Sequence, residues 1–222
     1  MSMLFINRRK IAIACTAAIL TACSTMPNAP DGARKHERDK NLPTSIKADS
    51  SQDDIVISAY SSRAERQSKQ AAPAFQEALA LMEQQKLDDA SALLSQLAVD
   101  YPLLSGPLLN LGIIYLHQEE ADKASAALKE AVNRHPENAY AYLYQGIALK
   151  QQGKFKQAEK SYFEALEISP NYAQAHINLG ILYELYFQEP VKALPHYEKY
   201  QELQSEPDPL VANWITVLKS QI

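Results

Sequence analysis

Apolar positions fall into three regimes along the chain. Ile11 to Leu20 is a short apolar run behind Arg8, Arg9 and Lys10. Residues 24–54 carry scattered charges of both signs, Pro27, Pro30 and Pro43, and almost no apolar periodicity. From residue 71 the pattern becomes periodic and also repeats. Gly112, Gly146 and Gly180 recur at an interval of 34, as do Ala90, Ala124 and Ala158, and Pro102, Pro136 and Pro170. Three residue types in one phase mark an internal repeat, whose units must stack because none can bury its apolar face alone. At the end, Asp208 suits a helix N-cap and Pro209 the first helical position. Leu210, Trp214, Val217 and Leu218 then form one apolar stripe, which predicts a helix over 208–222 packed on the last repeat through the only Trp of the chain.

These residues resemble the tetratricopeptide repeat, a helix pair with small residues at its eighth, twentieth and twenty-seventh positions, large ones between them, and proline near its end. In 105–138, Leu108, Leu111, Gly112, Tyr115, Ala124, Leu128, Ala131 and Pro136 fill the whole pattern. In 139–172, Tyr142, Gly146, Leu149, Ala158, Tyr162, Ala165 and Pro170 fit, and Gln145 departs. The unit 71–104 keeps Ala78, Leu81, Ala90, Leu94 and Pro102. In 173–207, His176, Leu179, Gly180 and Tyr183 fit, but Ala193, Tyr197 and Tyr200 arrive one residue late. That places one inserted residue near Phe187–Pro190, and Pro195 is positioned to kink the second helix. The resemblance implies an all-α fold, a right-handed superhelical solenoid of four helix pairs closed by the capping helix 208–222. Two readings stay open for 55–70: a lead-in helix capped by Asp54, or a short apolar segment.

The N-terminal segment reads as an address. A basic stretch before a short apolar core is the layout of a secretory signal, too short to span a bilayer as a mature helix. Leu20-Thr21-Ala22-Cys23 resembles the bacterial lipoprotein box. The resemblance implies cleavage of 1–22 and acylation of Cys23, with an uncleaved signal anchor as the alternative. Ser24 after the cysteine implies the outer membrane, facing the periplasm, by similarity to Gram-negative lipoproteins. Residues 23–54 then form a lipidated end and a disordered tether, since such a composition cannot offset its ordering entropy by burial.

Composition narrows the chemistry. The formal charge is −4 with only 6 glycines, which argues against nucleic-acid binding and against a Gly-rich nucleotide fold. Of the two cysteines, Cys15 leaves with the signal and Cys23 carries lipid, so no disulfide or metal thiolate is expected. The histidines, His36, His117, His135, His176 and His196, lack metal-ligand spacing, and there is no nucleophile elbow or phosphate loop. No catalytic residue, metal or cofactor is expected; the chain reads as a binding protein, not an enzyme.

The family resemblance also implies a concave groove lined by the first helix of each unit. The corresponding residues are Phe75, Leu79 and Met82; Leu109, Asn110, Ile113, Leu116 and His117; Tyr140, Leu143, Tyr144, Ile147 and Lys150; and Ile177, Asn178 and Ile181. That strip is mostly apolar and aromatic. The Lys and Asn with which some members clamp a terminal carboxylate are replaced by Leu109, Leu143, Ile177 and Ile113, Ile147, Ile181. The guest is expected to be a protein or peptide of the cell envelope, in the manner of pilus-assembly and pilotin-like lipoproteins; adaptors of peptidoglycan enzymes and a self-associating structural lipoprotein are the alternatives. The groove could instead be filled by residues 55–70 or by packing between repeats. The chain is expected to be a monomer or a weak homo-oligomer.

Overall fold

The computed structural model describes residues 50–222, with side chains from Ser62. The expected signal 1–22, the lipidated Cys23 and residues 24–49 of the tether lie outside the described residues. Helices follow one another as antiparallel pairs: α1 (Ser50–Glu83) with α2 (Leu87–Asp100), α3 (Gly106–His117) with α4 (Ala121–Arg134), and α5 (Ala139–Gln151) with α6 (Phe155–Ile168). The fourth pair is α7 (Ala173–Ile181) with α8 (Pro190–Glu202), and α9 (Pro209–Gln221) closes the stack. Each second helix packs on the first helix of the next pair, and α3, α5 and α7 touch in turn, which makes the right-handed solenoid. α1 begins at Ser50, inside the stretch expected as tether, and runs without a break through 55–70 and Pro73. Residues 55–70 therefore prolong the first helix of the first pair and do not fold back across the stack.

The repeated small residues allow close approach within each pair. A Cβ added at Gly112 would overlap the side chain of Leu128, and one at Gly146 would overlap the ring of Tyr162. At Gly180 it would sit 2.5 Å from Tyr197 Cε1. Leu128, Tyr162 and Tyr197 are fully buried, each filling the space its glycine leaves. Between the first two pairs, Arg134 Nη1 donates to the carbonyls of Ala98 (3.0 Å) and Leu104 (3.2 Å), satisfying the end of α2 and the loop before α3.

One backbone hydrogen bond closes the turn inside each unit. The N–H groups of Lys86, Glu120 and Lys154 donate to the carbonyls of Leu81, Tyr115 and Leu149 at 2.9, 2.8 and 2.9 Å. The residue before each donor is left-handed: Gln85 (φ 61°), Glu119 (φ 62°) and Gly153 (φ 73°). In the fourth unit the bond runs from Glu189 to Tyr183 at 2.8 Å, and the left-handed residue is Gln188 (φ 57°). That ring holds one more residue than the others. The insertion therefore lies between Tyr183 and Glu189, and the chain absorbs it by widening Leu182–Phe187 into a π-turn. Pro195 follows in α8, which continues through it.

Only one of these left-handed positions holds the residue that adopts the conformation without a Cβ penalty. Gln188→Gly is expected to raise stability by about 0.5–1 kcal/mol, and Gly153→Ala to lower it by a similar amount. Nothing lies within 4 Å of a Cβ at Gly153, so any loss there reads backbone strain alone. Urea unfolding followed by circular dichroism measures both, and an unchanged midpoint for Gly153→Ala would count against the strain.

The capping helix starts as its sequence predicts. Asp208 Oδ1 accepts from the N–H groups of Leu210 (2.9 Å) and Val211 (3.3 Å), with Pro209 at the first position. Its buried face is rotated by one residue from the expected stripe. Val211 and Leu218 are buried with Trp214 and Ile215 beside them, while Leu210 and Val217 are exposed. Two overlapping stripes are available in this sequence, and docking against Tyr197, 5.5 Å from Trp214 ring to ring, selects one.

Candidate functional site: the inner helix layer

The first helices of the units, α1, α3, α5 and α7, form one layer, and every expected groove residue with its repeat equivalents lies on it. They do not all present a surface. Phe75, Met82, Leu109 and Leu143 are buried in the clusters that join one unit to the next, and Asn110 is fully buried with them. The apolar strip read from the sequence is thus partly consumed by packing between repeats, because neighbouring first helices approach closely enough to cover each other's flanks. Leu79, Ile113, Leu116, Tyr144, Ile147, Lys150, Ile177, Asn178 and Ile181 are half-buried, and His117 and Tyr140 are exposed.

One open part of the layer is aromatic. Tyr140 is 51 % exposed and lies 5.2 Å, ring to ring, from Tyr172. Burial pushes the Tyr172 hydroxyl up, with Tyr140 and Tyr144 close enough to add to the effect. Tyr172 has no place in the sequence-derived lining. It is the last residue of the third unit and the N-cap of α7, and a pattern confined to first helices passes over it. Asn138 fixes the start of α5, accepting from the N–H groups of Tyr140 (3.0 Å) and Ala141 (3.3 Å).

At the other end of α5, Lys150 Nζ donates to Asn178 Oδ1 at 3.1 Å, and Tyr162 Oη donates to the same oxygen at 3.4 Å. Asn178 Nδ2 donates to the Gln174 carbonyl at 2.8 Å. Burial lowers the Lys150 ammonium from its ordinary range. Asn110 is the equivalent of Asn178 two repeats earlier, and it too donates to its own helix, to Gly106 O at 2.9 Å. Its Oδ1, however, is buried without a partner. The repeat explains the difference: the residues standing where Lys150 and Tyr162 stand are Met82 and Leu94, both buried and neither able to donate.

A second polar cluster sits between α7 and α8. His176 Nε2 lies 3.0 Å from the Pro170 carbonyl, which can only accept, so it carries the proton. In that tautomer His176 Nδ1 accepts from His196 Nδ1 at 3.2 Å. His196 also stacks on Tyr183 at 5.7 Å. Burial, and secondarily the nearby His176, pushes His196 down to about 4. The folded chain therefore holds His196 neutral where the unfolded chain protonates it. Stability from this group is full above the unfolded value near 6.5 and is lost as pH falls toward 4. The expected loss is about 1–3 kcal/mol, reduced by partial exposure. The urea midpoint should fall more between pH 7 and pH 5 for wild type than for His196→Asn; equal falls would show that other groups carry the acid sensitivity.

Among the described residues no group of three or more His, Cys, Asp or Glu could hold a metal. No described helix is long and apolar enough to cross a membrane.

No curated protein matches the chain. Among solved structures it is similar to pilF of Pseudomonas aeruginosa, with 20 % identity, 70 % of each chain covered and a TM-score of 0.63. It is also similar to MamA: one structure shares 28 % identity over 59 % of this chain and 74 % of the other, with a TM-score of 0.51. A second shares 23 % over 64 % and 81 %, with a TM-score of 0.57. These likenesses concern the fold. The family model described as tetratricopeptide repeat matches residues 75–124, 109–173 and 145–207. With those matches spanning more than half of the sequence, and with the glycine-to-ring packing recurring from pair to pair, the chain belongs to the tetratricopeptide repeat family.

Proposed function

We propose that this chain is a lipid-anchored scaffold of the bacterial envelope. Cys23 carries the anchor, the repeats face the periplasm from the outer membrane, and the inner helix layer grips a segment of a protein partner. The reading includes no catalytic step: the chain positions its partner, as an assembly factor for an envelope complex such as a pilus or a secretin. The observation that carries it is the aromatic opening at Tyr140, Tyr144 and Tyr172. Large rings left partly open on the layer shared by all units supply contact area at low cost in side-chain entropy, which a solvated surface does not need. The fold likeness to pilF and the lipoprotein box support the cellular setting.

Photo-crosslinking in cells tests the binding face. A photoreactive residue at Tyr144 is expected to capture one envelope protein that the same residue at exposed Glu167 on α6 does not. Capture at both positions, or at neither, would count against the face. Membrane fractionation tests the anchor: Cys23→Ala should release the chain to the soluble fraction, and retention would sink the lipoprotein reading.

A further inference from the structure

Among the described residues, Lys150 on the inner layer has no carboxylate in salt-bridge contact. Several exposed lysines pair with a carboxylate: Lys69 with Glu65 at 2.7 Å, Lys156 with Glu159 at 3.2 Å, Lys219 with Glu198 at 2.8 Å. Lys150 is the reverse case. Its ammonium is half-buried at the edge of α7, and its hydrogen-bond partner is the neutral amide oxygen of Asn178. Burial holds the ammonium below its ordinary range. An ammonium has three donors and Asn178 takes one. Withdrawing a charge from water without an opposite charge is costly, and such groups mark sites completed by something else. Asn178 is itself held in place by its own helix and by Tyr162, so the ammonium is aimed, not free to leave.

We infer that the inner layer is selective for a peptide bearing a carboxylate, which pairs with Lys150 while an apolar or aromatic residue of the same segment rests on Tyr140 and Tyr172. This deepens the proposed function and rests on the inner layer being the binding face. Lys150 stands at neither position of the family's carboxylate clamp, which Leu143 and Ile147 occupy in this unit. The site is set by the pairing of α5 with α7. Tyr140 and Lys150 lie near opposite ends of α5, ten residues apart, a rise of about 15 Å. An extended peptide advances about 3.3 Å per residue, so the two anchors are about four to five residues apart in the guest. The occupant is thus an acidic segment in extended form, its carboxylate and its apolar side chain at that separation.

The test uses two labelled peptides and the purified chain. One is acetyl-Phe-Ser-Ser-Ser-Ser-Glu-amide, and its twin carries Gln in place of Glu. By fluorescence anisotropy the Glu peptide is expected to bind about ten-fold tighter, the worth of a hydrogen bond to a charged group. Lys150→Met should reduce the Glu peptide to the affinity of its twin and leave the twin unchanged. Tyr140→Ala should weaken both. Lys150→Met is expected to fold, and its thermal melt is recorded alongside. Equal affinities in wild type, a Glu preference that survives Lys150→Met, or no binding of either peptide at millimolar concentration would each overturn the inference. A partner captured at Tyr144 in cells, with no preference between the peptides, would leave the binding face standing and remove only the carboxylate. No capture and no peptide binding would remove both.

Discussion

Gly146→Ala is expected to destabilise the chain by about 2–3 kcal/mol, although glycine-to-alanine exchanges inside helices ordinarily stabilise by up to about 1 kcal/mol. The sign reverses because the new methyl would overlap the ring of Tyr162, with Tyr162 Cδ1 2.6 Å from the added Cβ. Tyr162 cannot escape this pressure: it is 0 % exposed, and its hydroxyl donates to Asn178. A ring in that position cannot rotate away without opening the interface between α5 and α6. Removing the ring should therefore remove the penalty. Tyr162→Ala alone is expected to cost about 3–5 kcal/mol through the cavity it leaves. In that background Gly146→Ala should be neutral or stabilising, because the methyl enters empty space. A double-mutant cycle in urea reads the coupling directly, and the expected value is at least about 2 kcal/mol. Additive effects would mean that close packing at the eighth position is not what fixes the glycine.

The same contact explains how much of the fold could be read from the chain. Gly112, Gly146 and Gly180 are visible because each faces a large buried residue and tolerates nothing bigger. The period and the helix pairs follow from them. The inserted residue of the fourth unit was visible too, as a late Ala193 and Tyr197, but its form was not. Whether an extra residue lengthens a loop or widens a helix depends on which backbone bond closes the turn, and the Glu189–Tyr183 bond decides it. The lining of the inner layer was only half legible. Position in the repeat places a residue on the layer, yet Phe75, Met82, Leu109 and Leu143 are covered by neighbouring helices, and coverage depends on the approach of two units. The pairing of Lys150 with Asn178 is of the same kind. It joins residues 28 apart that belong to different units, and no pattern within one unit contains it. The buried face of α9 likewise depends on a partner, since Leu210 and Val211 are equally apolar and Tyr197 chooses between their stripes.

That dependence makes Tyr197 the residue whose loss should divide the molecule. It is 1 % exposed, fills the space beside Gly180, packs on Trp214, and donates from its hydroxyl to Glu184 at 2.7 Å. Tyr197→Ala is expected to cost about 3–5 kcal/mol, most of it the cavity. Tyr197→Phe keeps the ring and loses only the bond to the carboxylate, so it should cost about 1–2 kcal/mol. The loss should also be local. In a stack where each unit touches only its neighbours, weakening one end lets it open before the rest. Trp214 is the only Trp of the chain and sits against the altered position, so its fluorescence reports the end alone, whereas helix content reports the whole. In Tyr197→Ala the fluorescence midpoint in urea should fall below that of circular dichroism, while in wild type the two should lie close together. The capping helix would then open with its apolar face, Val211 and Leu218, while α3 to α6 remain folded. Coincident midpoints in the variant would mean that the repeats unfold as one body. In that case the stability of the inner layer could not be separated from that of the cap.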